Sequence, residues 1–311
     1  MADVRKQILV PVDFSECSKP ALEYAGRLAR GIPADLHLLH VWEVPEFVPR
    51  VMPGEAFLDR RALAELVERR AREELDAFVR EAEKLEIPIV STTLACGVPP
   101  RSIVESAKRG GYDLLVLGTH GRTGFSHVML GSVAERVVRH ASCPVLTVRP
   151  QSRAPKEIRK ILVPVDYSEH SSASLRYASD LARSVHAELD VVHVWDRPTY
   201  VSETVVVHDR DGSKRSLAEM IRENAEHEMR EFLARFQPQD GETRSFPPHR
   251  LLSGEPASTL VAELERGQHD LVIVGTRGQT GLKHLLLGSI AERLVRLSPV
   301  PVLTLRGADT P

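Results

Sequence analysis

Cysteine is scarce in this sequence. Three thiols, Cys17, Cys96 and Cys143, are spread over 311 residues, with no CxxC pair and an odd one left over. That argues against a disulfide framework and for a reduced, intracellular compartment, with all three expected as buried, inert thiols. Charge of one sign is lacking too: 41 Lys and Arg meet 43 Asp and Glu, a formal net charge of −2. Nothing in that balance favours nucleic acid or an anionic membrane as partner. No apolar run approaches bilayer length, and residues 1–6 carry no signal-type apolar stretch, so a cytoplasmic protein is expected. Two familiar phosphate fingerprints are also missing. No Gly-Lys-Ser/Thr follows a glycine loop, and no GxGxxG follows the first expected strand.

What is present is present twice. Ile8-Leu9-Val10-Pro11-Val12-Asp13-Phe14-Ser15-Glu16 returns as Ile161-Leu162-Val163-Pro164-Val165-Asp166-Tyr167-Ser168-Glu169. His40-Val41-Trp42 returns as His193-Val194-Trp195, Ala62-Leu63-Ala64-Glu65 as Ser216-Leu217-Ala218-Glu219, and Gly97-x-Pro99 as Gly254-x-Pro256. The order is kept and the spacing differs by only a few residues. A repeat this long means two tandem domains, not a solenoid. They are placed at residues 1–150 and 157–308, joined by the polar, Pro-bounded stretch Pro150-Gln-Ser-Arg-Ala-Pro155.

Within the first copy, short apolar runs alternate with helical patterns. Strands are expected at 7–12, 35–42, 89–95, 113–117 and 144–148, and helices at 20–29, 58–85, 101–108 and 133–140. In the first helix Ala21, Leu22, Ala25, Leu28 and Ala29 share one face. The charged stretch 60–74 reads as a helix surface laced by i,i+4 pairs. The second copy repeats the strands at 160–165, 188–195, 245–252, 271–274 and 301–305, and 200–215 reads as a connecting loop in preference to a lid. Such alternation argues for an α/β fold, with a parallel sheet and helices on both faces. Ligands in these sheets sit beyond the carboxyl ends of the strands, where the winding reverses. Asp13 and Gly118 both end strands and can face one cleft.

The main chemical signal is Gly118-x2-Gly121-x9-Gly131-Ser132, with its twin Gly275-x2-Gly278-x9-Gly288-Ser289. Glycine at the end of a buried strand permits positive φ and close approach of a ligand to the backbone. The helix opening at Ser132 offers free N–H groups and the positive end of its dipole to an anion. A purely structural account competes: Ser132-Val-Ala-Glu135 and Ser289-Ile-Ala-Glu292 both read as capping boxes, and the glycines as tight turns. Asp13 and Asp166 can accept hydrogen bonds from a ribose diol, or serve an Asx-turn or helix cap with Ser15, Ser18, Ser168 and Ser171. Pro11, Val12 and Val41 suit the flank of a flat base, or ordinary core. His120, His127 and His140 match no zinc spacing and are expected on a solvated helix face.

Taken together, the Val-Pro-Val-Asp strand end, the His-Val second strand and the G-x2-G-x9-G-[S/T] loop resemble the universal stress protein family, over nearly the whole chain and twice. The resemblance implies Rossmann-like domains of the adenine nucleotide alpha hydrolase type, each an open five-stranded parallel sheet of order 3-2-1-4-5. It implies fifth strands that pair the two domains as an internal pseudo-dimer, with a homodimer as a further possibility, and ATP bound with Mg²⁺ in both copies. Asp13 would hold the ribose, Pro11, Val12 and Val41 the adenine, and Gly118, Gly121, Arg122, Gly131, Ser132 and Val133 the ribose and phosphates. In the second copy the matching positions are Asp166, Pro164, Val165, Val194, Gly275, Gly278, Gln279, Gly288, Ser289 and Ile290. Arg122 has no cationic twin, since Gln279 takes its place, although Arg277 stands two residues earlier. Sites of unequal affinity are therefore expected.

The family role would be regulatory or protective under stress, through an unknown protein partner. Two other classes stay open. One is slow ATP hydrolysis or nucleotidyl transfer on the same fold. Neither an SGG-type pyrophosphatase loop nor a His-x-Gly-His adenylation motif is present, and no general base is fixed opposite the glycine loop, so no dedicated enzyme is expected. The other is an interaction scaffold whose glycine loops serve structure alone.

Overall fold

Ile8, Leu9 and Val10 have almost no exposed surface, which is the signature of a strand covered on both faces. They form the middle of β1 (Lys6–Val12). β1 pairs in parallel with β2 (Ala34–Trp42) from Lys6↔Ala34 to Val12↔His40, and β2 with β3 (Ile89–Cys96). On its other side β1 pairs with β4 (Leu114–Gly118), and β4 with β5 (Val145–Val148). The computed structural model describes residues 5–44, 60–121, 130–153, 157–195, 206–208, 214–236, 248–276 and 287–306. The chain divides into two compact units, Met1–Glu157 and Ile158–Pro311.

The order in the first unit is β3-β2-β1-β4-β5. The connections run through α1 (Ser18–Gly31), α2 (Arg60–Lys84), α3 (Pro99–Gly110) and α4 (Ser132–His140). The chain winds outward from β1 through α1 and α2, then crosses to β4 and winds the other way. Right-handed crossovers thus put α1 and α2 on one face and α3 and α4 on the other, and the reversal falls between β1 and β4. The buried face of α1 includes the expected Ala21, Leu22, Ala25 and Leu28 and adds Tyr24, while Ala29 is half-buried. α2 carries Arg61–Glu65, Arg72–Glu68 and Arg70–Glu74 as i,i+4 pairs on its surface.

The second unit repeats this with β6 (Lys160–Pro164), α5 (Glu169–Val185), β7 (Glu188–Trp195), α6 (Leu217–Ala234), β10 (His249–Ser253), α7 (Pro256–Glu265), β11 (Leu271–Gly275), α8 (Ser289–Leu297) and β12 (Val302–Leu305). Its order, β10-β7-β6-β11-β12, is again 3-2-1-4-5, with every pair parallel. One feature departs from expectation. Within 200–215, read as loop, β8 (Val206–His208) pairs antiparallel with β9 (Lys214–Ser216). Polar composition hides so short a hairpin from a periodicity reading. Ser216 then opens α6 with a capping box to Glu219.

Candidate functional site

β1 ends at Val12, and the next residue, Asp13, stands at the carboxyl end of the central strand beside the switch point. Among the described residues, its Oδ1 accepts hydrogen bonds from the Ser15 N–H at 3.1 Å, the Ser15 hydroxyl at 2.6 Å and the Ser18 hydroxyl at 2.6 Å. The Asp13 N–H in turn donates to Ser18 Oγ at 3.0 Å. The structural reading of Asp13 as an Asx-turn residue is therefore right for one oxygen. The other, Oδ2, points at the glycine loop, since a Cβ built on Gly121 would lie 2.6 Å from it.

Holding that carboxylate requires Phe14 to adopt φ 60°, and its twin Tyr167 φ 66°. Left-handed backbone at an aromatic residue costs of order 1 kcal/mol or more. Ring packing offsets it. Phe14 lies 4.3 Å from His40 and 5.7 Å from Phe78, and Tyr167 lies 4.3 Å from His193 and 5.6 Å from Phe232. His40 Nδ1 donates to the Val12 carbonyl at 2.7 Å, and His193 Nδ1 to that of Val165 at 2.8 Å. These four residues position the aspartate and were missed as such by the sequence reading. Their signal was available, since both His and both aromatics sit inside the repeated segments.

The glycines act by close approach, not by unusual torsions. Among the described residues, positive φ among glycines falls at Gly97, Gly111, Gly254 and Gly267, so the freedom that glycine permits at Gly118 is used for close approach alone. A Cβ on Gly118 would lie 2.7 Å from the Cys17 carbonyl oxygen, and one on Gly131 2.7 Å from that of Thr119. The Gly131 N–H closes the base of the loop onto that same oxygen at 2.8 Å, as Gly288 does onto Thr276.

The capping boxes are not formed. Gly131 and Gly288 are themselves the N-caps, so Ser132 and Ser289 are the first helical residues and no side chain caps either helix. Glu135 pairs with Arg139 at 2.6 Å instead. The helix-start N–H groups are left for something else to satisfy.

Pro11, Val12, Asp13, Val41, Gly118, Gly121, Gly131, Ser132 and Val133 line one cleft of about 200 Å³. Pro164, Val165, Asp166, Val194, Gly275, Gly288, Ser289 and Ile290 line its counterpart of about 370 Å³. Arg122, Gly278 and Gln279, with His127 and Arg277, lie outside the described residues. One lining residue contradicts its expectation. His120 is not on a solvated helix face: it forms part of the first cleft's wall, and its Nε2 is buried without a hydrogen-bond partner. An imidazole nitrogen left so costs about 1–3 kcal/mol. His140, by contrast, is exposed at the end of α4. The thiols divide as well. Burial raises the pKa of Cys17, and pushes that of Cys143 up to about 11, but Cys96 is exposed at the end of β3, which corrects the expectation of three buried thiols.

An adenine nucleotide fits these residues. An uncapped helix start and an orphaned imidazole nitrogen offer donors to an anion, the bare Gly131 leaves room for it to approach, and Pro11, Val12 and Val41 offer apolar surface to a base. Among the described residues, the group of His and carboxylate side chains close enough to hold a metal is Asp190, Glu263 and His269. It lies at the amino ends of the strands, away from the cleft. Arg250 already occupies it, bonding Asp190 at 3.1 Å through Nε and Glu263 at 2.7 Å through Nη2.

Fold and site together define a tandem, doubly wound α/β protein with one switch-point cleft per repeat. The sequence profile of the universal stress protein family matches residues 5–149 and again 157–306, and the chain belongs to that family. A universal stress protein of Methanocaldococcus jannaschii is 37% identical over 144 residues, 46% of this chain and 82% of that one. One from Mycolicibacterium smegmatis is 27% identical over 310 residues, 96% of each chain. In structure, a universal stress protein from Archaeoglobus fulgidus matches with a TM-score of 0.66 over 98% of this chain and all of the other; at 21% identity that likeness concerns the fold. Among the described residues no helix is long and apolar enough to cross a membrane.

Proposed function

We propose that this chain binds ATP, with Mg²⁺, at both clefts, and acts as a regulatory or protective protein in the stress response. One observation carries the reading. In each unit the aspartate after the first strand, the glycine turn and an uncapped helix N-terminus converge on one cleft. Asp13 and Asp166 accept from the ribose, and the N–H groups at Ser132 and Ser289 receive phosphate oxygens. Gly118, Gly121 and Gly275 let the backbone approach, and Arg122 adds charge in the first copy. Mg²⁺ is held chiefly by the phosphates and water, as is usual for this ion.

The stress-response role rests on family membership, not on the cleft. Isothermal titration of the full chain with Mg-ATP, paired with mass spectrometry of the gently purified protein, tests the binding. Two binding events per chain and co-purified adenine nucleotide are expected. A nucleotide-free protein that gives no heat on titration sinks the reading and leaves the scaffold.

A further inference from the structure

Thr119 is fixed by two backbone bonds: its N–H donates to the Val148 carbonyl at 3.1 Å and its own carbonyl accepts from Gly131 at 2.8 Å. Its hydroxyl lies 2.9 Å from His120 Nδ1, which sets the imidazole of the next residue. With the hydroxyl donating to Nδ1, the ring proton sits on Nε2, and Nε2 becomes a donor. That atom is buried, has no partner, and belongs to a residue in the cleft wall. The backbone neighbours of residues 120 and 121 place this stretch of the cleft wall between two fixed points. On one side Gly121 abuts Asp13 Oδ2, at 2.6 Å from its Cβ position. On the other, the His120 Cα lies 3.4 Å from the Cβ position of Gly131, the N-cap of α4.

We infer that His120 is a specificity residue of the first cleft, donating through Nε2 to the phosphate next to the sugar of a bound adenine nucleotide. The inference rests on the nucleotide reading above. A group standing between the sugar-binding carboxylate and the helix start meets the first phosphate, whose negative oxygens can only accept. It gives the first cleft a means to prefer nucleotides over nucleosides that does not depend on the helix start. The second copy carries Arg277 at the aligned position, so the two clefts are expected to differ in this contact.

The test compares adenosine, AMP and ATP on the full chain. Each cleft is read by its own tryptophan, since Trp42 follows Val41 and Trp195 follows Val194, and these are the two in the chain. His120→Asn keeps a group able to meet Thr119 but removes the outer nitrogen; His120→Gln places an amide nitrogen near it. In the first cleft His120→Asn should weaken AMP and ATP by about tenfold and adenosine by less than about twofold, as expected of a hydrogen bond to a charged group. His120→Gln should restore most of the loss, and the second cleft should not change. In the unmutated protein, the Nε2 nitrogen resonance of His120 should shift with AMP and stay with adenosine, which guards against a variant that misfolds. Wild-type AMP affinity in His120→Asn, or equal loss for adenosine and AMP, overturns the assignment while the nucleotide reading stands. Failure of all three ligands to bind the unmutated protein overturns both.

Discussion

The two units agree at one end of the sheet and part company at the other. At the carboxyl ends of the strands they share one framework: Asp13 and Asp166 after the first strand, left-handed Phe14 and Tyr167, His40 and His193 on a strand carbonyl, Gly131 and Gly288 as bare N-caps. At the amino ends, three positions of the first unit, His37, Thr93 and Tyr112, are Asp190, Arg250 and His269 in the second. His37 meets Tyr112 edge-on at 5.3 Å and bonds Gln7 and Ser91. Asp190 instead accepts from Arg250 and from His269 at 2.8 Å, and Glu263 bridges Arg250 and Arg266 at 2.7 Å each. The amino end needs only that most of its buried polar groups find partners, which several side-chain sets achieve, and even there the buried His269 Nδ1 is left without one. The cleft end is held by backbone contacts too close to admit a Cβ, and few sequences satisfy that.

The largest way to break the symmetry is to fill one cleft. Gly131→Val would drive a branched side chain against the Thr119 carbonyl, 2.7 Å from the Cβ position, and into the space over the helix start. The expected result is loss of one binding event in calorimetry, with the Trp42 signal silenced and the Trp195 signal kept. Loss of both signals would mean that the clefts are not independent. Next comes Arg250→Met. Asp190 and Glu263 are each about 2% exposed, and removing the guanidinium leaves them without their shared partner. Breaking a buried pair in this way costs about 3 kcal/mol, here confined to the second unit. Denaturant melts followed through Trp195 in a Trp42→Phe background would show it. An equal shift in the first unit would refute the confinement.

A gentler version uses acid. Burial works to raise the pKa of Asp190, but hydrogen bonds from His269 and Arg250, with the charge of Arg250, hold it well below the ordinary carboxylate range. A depressed folded-state pKa gives stability that is complete above the unfolded value, about 3.9, and drains away as pH falls below it. The second unit should thus lose melting temperature faster than the first between about pH 4 and pH 2. The gap should be several degrees, since 1 kcal/mol moves a domain of this size by about 2–4 °C. In the first unit Asp35 is also depressed, by hydrogen bonds from Arg5 and Gln7, but that pair is solvent-facing and screened. Parallel acid profiles would show that the buried network does not set the difference.

Much of this was legible in the residues. The tandem division and the alternation of strands and helices followed from the repeat, because they are written in patterns that recur at fixed offsets, whereas strand order and the full cleft lining came with the family resemblance that those repeated motifs carry. The helix caps were not. Ser132 and Glu135 satisfy the capping-box pattern on paper, yet Gly131 closes onto Thr119 and starts the helix one residue early, which no local pattern encodes. Pairing across distance was equally hidden. Asp190, Arg250 and Glu263 are up to 73 residues apart, and only the fold brings their charges together. His120 was misplaced because histidine near a helix start most often faces water, and the burial of its Nε2 here arises from tertiary contacts that no local pattern encodes.

The finest test turns on two serines that the sequence makes equivalent and the structure does not. Ser18 Oγ donates to Asp13 Oδ1 at 2.6 Å and accepts from the Asp13 N–H at 3.0 Å. Its twin Ser171 turns away, donating to the Ser168 carbonyl at 2.9 Å, while Ser168 supplies both the N–H and the hydroxyl to Asp166 Oδ1. Among the described residues, Ser18→Ala therefore keeps the donors of Ser15 on Asp13, matching those that Ser168 gives Asp166. A hydrogen bond to a carboxylate that also orients it is worth about 1 kcal/mol, or roughly fivefold in ATP affinity at the first cleft. Ser171→Ala removes only a bond to a backbone carbonyl and should move the second cleft by less than about twofold. Equal losses at both clefts would show that the extra tether on Asp13 does not tune binding. A loss in the first alone would make Ser18 one measurable source of unequal affinity, beside the exchanges of Arg122 for Gln279 and His120 for Arg277.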